Sequence, residues 1–342
     1  MEQTMTTGQF DPQQEKGTLA KTAARAGAAI SVWVLLRILL ELATIPLVKL
    51  LDAQGASENL KQILILAVSA AGVYIVATPV ALWILGVFRN GGMRAMFTKS
   101  KLPARQVAAA IPMLYAVTIV INLIATVVNL IASGSLEQVT ENNPLLNLPT
   151  GTLGILLNYL WMVLVAPVFE EVLFRGGLLG TLKKHGNWFA VIVSALLFGL
   201  AHVNISQMLY ATALGFMLGM MYVRAGSVVP CIITHICINF LGITIATFYG
   251  AENIGVLAIL GLLVVAAVIT GIVLLIITLV KHRDKLRLGA EDSALTGRQR
   301  FEILLRSPMF VLMFILSLAL SIAVNLPPVA EAIYSLLGTS AH

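Results

Sequence analysis

The sequence has few charged residues: Asp, Glu, Lys and Arg make up 11% of its 342 residues, whereas 58% are hydrophobic. Soluble globular domains carry about 25% charged residues, so this scarcity excludes that class. The chain also has only two cysteines, Cys231 and Cys237, and both lie inside one apolar run. Cysteines placed in this way form neither a disulfide framework nor a CxxC zinc or redox motif. The composition therefore indicates a polytopic membrane protein.

Long apolar runs occupy most of the chain. A bilayer core of about 30 Å requires about 20 apolar residues in a helix that rises about 1.5 Å per residue. The sequence therefore predicts an all-α membrane bundle of about nine transmembrane helices, with eight as the alternative. The nine runs are approximately residues 28–51, 62–88, 107–132, 152–174 with a helical extension, 188–203, 207–223, 228–248, 254–280 and 309–324.

Basic residues test this segmentation independently, because short cytoplasmic loops carry an excess of Lys and Arg. If every run spans once, 19 of the 22 Lys and Arg residues fall on one side. This alternation predicts a cytoplasmic N-terminus and an outer C-terminus, in what we expect to be a bacterial cell membrane. The net charge of +6 is then a signal of topology, and no nucleic-acid partner is expected.

Ionisable side chains inside the runs are rare, and each costs on the order of 3 kcal/mol at the centre of a span. Arg37 and Glu41 lie four residues apart, so they can form a structural ion pair on one helix face. The remaining polar groups call for a partner or a function. They are Glu170, Glu171, Arg175, His202, His235 and Asn239.

These groups follow helical spacing. Residues four apart share a helix face, and three pairs have this spacing. The pairs are Glu171 with Arg175, Phe198 with His202, and His235 with Asn239. Counting residues from the basic loops places all three pairs in the cytoplasmic half of the bilayer. The sequence therefore predicts one buried polar cavity, enclosed by core helices and open to the cytoplasmic side.

The two adjacent carboxylates cannot face that cavity equally, because neighbouring residues lie about 100° apart around a helix. We expect Glu170 to face the cavity and Glu171 to pair with Arg175, bracing the helix. Pro167 is expected to kink the same helix and to free a carbonyl group.

The motifs E-E-x-x-x-R (170–175), F-x-x-x-H (198–202) and H-x-x-x-N (235–239) together resemble the signature of the CPBP family of intramembrane proteases. That family includes the CAAX prenyl protease 2 (Rce1-like) enzymes and bacteriocin-processing and immunity proteins. The resemblance implies a catalytic core over 152–248. Around it we expect a polar cytoplasmic tail (1–27), N-terminal transmembrane helices (28–151), and C-terminal transmembrane helices (249–342) with a basic cytoplasmic loop at 281–308.

The resemblance also implies an endopeptidase mechanism. Peptide hydrolysis requires an activated water and stabilisation of the oxyanion. Glu170 is then the general base and His202 helps to position the water, while His235 and Asn239 donate to the oxyanion. Phe198 is expected to pack the cavity wall.

A zinc site is the competing mechanism, because two histidines and a glutamate with an open position form a catalytic zinc arrangement. Glu170, His202 and His235 would be its ligands. The H-E-x-x-H helix of many zinc peptidases is not found in the sequence. The expectation is therefore glutamate catalysis with no required cofactor.

Two functions from other classes fit the same polar cluster. One is a non-catalytic membrane scaffold or bacteriocin self-immunity protein, and the other is a proton-coupled transporter, since membrane carboxylates and histidines relay protons. For an endopeptidase, the expected partners are the lipid bilayer and a peptide or protein substrate, either lipidated or a secreted-peptide precursor. The sequence indicates no oligomeric state.

Overall fold

The computed structural model describes residues 11–89, 92–133, 151–250, 254–289 and 293–324, which are helical without any β-strand. The all-α class is thereby confirmed for this part of the chain. The helices are α1 (Pro12–Ala53), α2 (Glu58–Leu85), α3 (Gly92–Met96), α4 (Ala104–Ser133), α5 (Gly151–His185), α6 (Asn187–Leu200), α7 (Ile205–Ala225), α8 (Val229–Gly250), α9 (Ile254–Lys281), α10 (Gly297–Leu305) and α11 (Pro308–Val324).

Seven helices in the described ranges are long and apolar enough to cross a membrane: α1, α2, α4, α5, α7, α8 and α9. Helices α10 and α11 meet at a bend of 76° and make an eighth span if they are counted together. The expected nine are not confirmed. The run at 188–203 forms only α6, whose 14 residues extend about 21 Å and fall short of a bilayer core of about 30 Å.

Helix α1 extends well beyond the predicted first span. Asp11 caps it by accepting from the Gln13 N–H, and Pro12 occupies its first turn. Residues 12–27 are therefore helical, and Leu19 and Ala23 of this segment are fully buried. Residues 1–10 and 325–342, which include both termini, lie outside the described residues, so the predicted orientation stays a prediction, as does the division into domains.

Helix α5 carries the diacid between two π-helical segments, Tyr159–Val165 and Val172–Leu179. Backbone hydrogen bonds in such segments join residues five apart, and π segments occur frequently at functional sites. They also leave carbonyl groups for other partners. The Phe174 carbonyl accepts from the Ser194 hydroxyl at 2.9 Å, which ties α6 to α5 beside the diacid.

Aromatic contacts hold α1 and α2 against α5. The Trp33 ring packs edge-to-face on Phe174 with centroids 6.0 Å apart, and its Nε1–H donates to the Thr78 hydroxyl at 3.1 Å. Both Trp33 and Phe174 are buried. The indole thus packs its apolar body on Phe174 and has a satisfied N–H group, and it connects α1, α2 and α5.

Two glycines allow α6 and α7 to approach closely. A Cβ at Gly199 would overlap the Thr212 hydroxyl of α7. A Cβ at Gly215 would lie 3.0 Å from Phe198 Cδ1 and 3.4 Å from Arg175 Nη2. The absence of a side chain at Gly215 therefore brings α7 against Phe198 and Arg175 of the polar cluster.

Candidate functional site

The polar cluster is centred on a buried ion pair within α5. Arg175 Nε lies 3.0 Å from Glu171 Oε2, and neither side chain is exposed. The expected pairing of these two residues is confirmed. The guanidinium also lies over the ring of Phe198, 4.2 Å from its centroid, where the electron-rich face of the ring stabilises a cation. Its Nη1 and Nη2 groups make no hydrogen bond to any residue that the structure describes.

The other oxygen of Glu171 holds His235 of α8. His235 Nδ1 lies 2.9 Å from Glu171 Oε1, and because a carboxylate only accepts, Nδ1 carries the hydrogen. His235 Nε2 therefore points away from Glu171 and lies 3.9 Å from Glu170 Oε2. In a neutral imidazole this nitrogen is an acceptor, and it becomes a donor only when the ring takes a second proton.

Glu170 differs from Glu171 in having no such partners. Its separation of 3.9 Å from His235 is too long for a hydrogen bond, and within the described ranges its carboxylate accepts none. Its side chain is 16% exposed, whereas that of Glu171 is fully buried. Glu170 thus keeps free lone pairs that can take a proton from a bound molecule.

Phe198 is the ring that joins the two histidines. It packs edge-to-face on His202 with centroids 4.9 Å apart and on His235 at 6.0 Å. His202 Nδ1 donates to the Phe198 carbonyl at 2.8 Å, which leaves Nε2 with its lone pair in the neutral ring. Phe198 is buried and packs against both imidazoles. Its expected place in the wall of a cavity stays a prediction.

Asn239 of α8 contacts the backbone of α5. Its Nδ2 donates to the Met162 carbonyl at 2.9 Å. This carbonyl lies in the π segment, where the Ala166 N–H donates to the carbonyl of Trp161, five residues earlier. The same spacing would pair the Met162 carbonyl with the N–H of residue 167, but Pro167 has no N–H. Asn239 therefore satisfies the carbonyl that the proline frees, and one amide hydrogen remains for another acceptor.

Three further residues interact with Glu170 that sequence spacing did not identify. Tyr74 of α2, Tyr210 of α7 and Arg37 of α1 all lie close enough for electrostatic interaction with its carboxylate. Tyr74 also packs on Phe169, with ring centroids 5.3 Å apart. The only signal of the two tyrosines in the sequence was a polar group within an apolar run, without a patterned partner. Arg37 was identified only as the ion-pair partner of Glu41.

The candidate ligands Glu170, His202 and His235 are not arranged as a zinc site requires. Among the described residues no three His, Cys, Asp or Glu side chains form a group that could hold a metal ion. Both histidines use Nδ1 within the protein, and His235 Nε2 is the ring nitrogen nearest Glu170. We therefore derive no catalytic step through zinc.

An enclosed polar cavity at the diacid is not confirmed. A cavity of about 880 Å³ lies elsewhere, at the start of α6. Its lining residues are Trp188, Arg283, Leu286, Arg287, Leu288 and Gly289, and none of the polar residues from the three motifs borders it. The predicted opening toward the cytoplasm thus stays a prediction.

Comparison with known proteins agrees with the three motifs. Residues 152–241 match the family model described as type II CAAX prenyl endopeptidase Rce1-like. A curated protein of Bacillus subtilis (strain 168), named "Putative membrane peptidase YdiL", is 32% identical over 77 residues. That match covers 22% of this chain and 32% of the relative, so the chain spans about a third of the relative's length. No solved structure matches. The resemblance to the CPBP proteases is confirmed.

Proposed function

From the match of residues 152–241 to the Rce1-like family model, we infer that this integral membrane protein is an endopeptidase that hydrolyses a peptide bond within the membrane. One observation carries this proposal: Glu170 has no hydrogen-bond partner among the described residues, yet it lies 3.9 Å from His235 in a site where all three motifs meet. A carboxylate that is largely removed from water and has no hydrogen-bond partner is costly in a purely structural cluster. A general base requires such a carboxylate, because its lone pairs are free to take a proton.

Glu170 activates the water in this mechanism. Its carboxylate takes a proton from a water molecule, whose oxygen forms a bond to the carbonyl carbon of the scissile peptide. His202 Nε2 accepts the second O–H of the same water and thereby orients it, since Nδ1 of that ring is held by the Phe198 carbonyl. General bases of this kind contribute about 10²- to 10⁴-fold to the rate.

Asn239 and His235 stabilise the negative charge that develops on the peptide oxygen. Asn239 donates through the amide hydrogen that the Met162 carbonyl leaves free, and His235 donates from Nε2 in its doubly protonated form. Each donor of this type is worth about 3 kcal/mol in the transition state. When the C–N bond breaks, Glu170 returns its proton to the leaving amine.

The proposed reaction requires no metal. The base, the water-orienting imidazole and the oxyanion donors are all side chains of this chain, and the described donors do not form a three-ligand group. Glu171 and Arg175 act as a brace, since one carboxylate oxygen contacts Arg175 while the other holds His235.

The proposed substrate is a membrane-associated peptide or protein tail that enters from the cytoplasmic side. Lipidated tails and secreted-peptide precursors are the two candidate classes. The alternation of basic loops supports a cytoplasmic N-terminus and an outer C-terminus, and we propose a bacterial cell membrane as the location.

A matched pair of carboxylate variants tests the function. The purified full-length chain is incubated with a panel of lipidated and unlipidated peptides, and the products are identified by mass spectrometry. Glu170→Gln should abolish cleavage, whereas Glu302→Gln, at an exposed position on α10, should retain it. Full cleavage by a folded Glu170→Gln protein would overturn the assignment of the base.

The same variants separate an enzyme from a scaffold or immunity protein. If the wild-type protein cleaves no peptide, and Glu170→Gln and His202→Gln proteins still support the cellular phenotype of the wild type, the scaffold interpretation replaces the peptidase. A flux driven by a pH gradient in proteoliposomes would instead favour the transporter.

A further inference from the structure

Arg37 of α1 makes a contact that its ion pair does not explain. Its Nε donates to Glu41 Oε1 at 3.1 Å, as four-residue spacing predicts. Its Nη1 also donates to the Ala201 carbonyl at 3.1 Å. Glu41 balances the charge of the guanidinium on one face of α1, and it could do so without any contact to a second helix. The contact with Ala201 therefore indicates a separate role.

The Ala201 carbonyl lies at the C-terminal end of α6. The last carbonyl groups of a helix have no partner within it, and a basic side chain there bonds them and complements the helix dipole. Ala201 is buried, so water has little access to this group. Arg37 thus caps α6 from a helix that is distant in sequence.

The turn that follows this cap is strained. Val203 has φ 54°, and among the described residues it is the only one other than glycine with a positive φ. A β-branched residue is strained in this region and persists there only where its surroundings hold it. Two backbone hydrogen bonds close the turn. The His202 N–H donates to the Gly199 carbonyl at 3.1 Å, and the Val203 N–H donates to the Leu200 carbonyl at 3.2 Å. Asn204 then starts α7 by accepting from the Gln207 N–H.

His202 lies inside this strained turn, between the capped carbonyl and Val203. Its ring is anchored at Nδ1 by the Phe198 carbonyl, so the direction of Nε2 depends on how the turn is held relative to α6. The positive charge of Arg37 also interacts with His202 and with Glu170. One side chain from α1 therefore acts on both proposed members of the water-activating pair.

We propose that Arg37 is a positioning residue for the reaction: by capping α6 at Ala201 it keeps the strained turn closed and aims His202 Nε2 at the water. This rests on the proposed peptidase function. Arg37 contacts neither the water nor the scissile bond in this role, and it acts through the backbone of Ala201 and His202.

Peptidase kinetics provide the first test, with Arg37→Gln, Arg37→Lys and Glu41→Gln compared with the wild type. Misplacement of a reacting group by about 1 Å can cost about 100-fold. Arg37→Gln should lower kcat about 10- to 100-fold and leave KM unchanged. Arg37→Lys should recover part of this loss, since an ammonium group can still donate to the carbonyl. Glu41→Gln should keep most of the activity, because the Ala201 contact remains.

A control ion pair with the same geometry is present on α10. Arg298 Nε lies 2.9 Å from Glu302 Oε1, four residues along an exposed helix face. Arg298→Gln should leave kcat and KM unchanged. The positioning role would be overturned if Arg37→Gln raised KM without lowering kcat. It would also be overturned if Arg37→Gln and Glu41→Gln lowered kcat equally.

Hydrogen exchange measured by mass spectrometry tests the same proposal without any activity. The amides of His202 and Val203 should exchange faster in Arg37→Gln and in Arg37→Lys than in the wild type or Arg298→Gln, because the cap that holds the turn is lost or weakened. Unchanged exchange at this turn in both Arg37 variants would overturn the proposal. If the wild-type protein cleaves no peptide, the proposed function fails, and this measurement still decides the role of Arg37.

Discussion

His235 Nδ1 donates to Glu171 Oε1 at 2.9 Å, so the second carboxylate of the diacid holds the imidazole. The first carboxylate, Glu170, then faces the opposite nitrogen of the same ring across 3.9 Å. The two adjacent acids consequently have different chemical surroundings. Glu171 is committed to two partners within the protein, whereas Glu170 is available to a bound molecule.

Glu171→Gln should destabilise the protein strongly. The substitution leaves Arg175 buried without an anion and gives His235 a weaker acceptor. Removal of one partner of a buried pair costs about 3–5 kcal/mol. Thermal unfolding in detergent should show a large fall in Tm. Glu302→Gln is the matched control, since its exposed pair is worth at most about 1 kcal/mol. Equal Tm values for the two variants would contradict the bracing role.

Asn239→Ala should lower both stability and activity. The partly buried Met162 carbonyl loses its donor, and the full cost for a buried group is about 1–3 kcal/mol. The proposed oxyanion site also loses a donor, and a donor of this type is worth about 10²- to 10³-fold in kcat. Tm and kcat measured on the same preparation report the two effects.

Pro167→Ala separates these two roles of Asn239. An alanine restores a backbone N–H that can bond the Met162 carbonyl, so Pro167→Ala combined with Asn239→Ala should recover Tm relative to Asn239→Ala alone. Its kcat should stay low, since the backbone N–H does not replace the oxyanion donor. Recovery of kcat together with Tm would show that Asn239 acts only on the backbone.

Gly215→Ala should displace Phe198 and reduce activity. The added Cβ would lie 3.0 Å from Phe198 Cδ1, and that ring is confined by both histidines and by Arg175. Overpacking of this kind typically costs about 1–3 kcal/mol. Gly242→Ala on α8 is the control, because a Cβ there meets no atom within 4 Å. The proposed packing fails if kcat and Tm are the same in both variants.

A zinc chelator should leave peptide cleavage unchanged, and added zinc should not stimulate it. The reason is that the proposed base, donors and water-orienting group are side chains of the chain itself. Cleavage measured after dialysis against the chelator, with metal content determined in parallel, tests this expectation. Loss of cleavage that zinc restores would establish a metal-dependent mechanism instead.

Local sequence patterns were enough to predict the fold class and the pairs that lie within one helix. Hydropathy is a local property, and residues four apart meet on one helix face whatever surrounds them, so the apolar runs and the Glu171–Arg175 pair could be predicted. Whether two of these runs cross the membrane on their own could not be predicted. Residues 188–203 end in the turn after α6, and α11 meets α10 at a sharp bend, and both depend on how the chain continues.

The contacts between the three motifs depend on the tertiary structure. His235 meets Glu171 from 64 residues away, and Arg37 reaches the Ala201 carbonyl from 164 residues away. Helical periodicity cannot predict such contacts, because they depend on which helix faces pack together and on close approaches between helices, such as that at Gly215. The different contacts of Glu170 and Glu171, the partner of Asn239 and the cap on α6 follow from that packing.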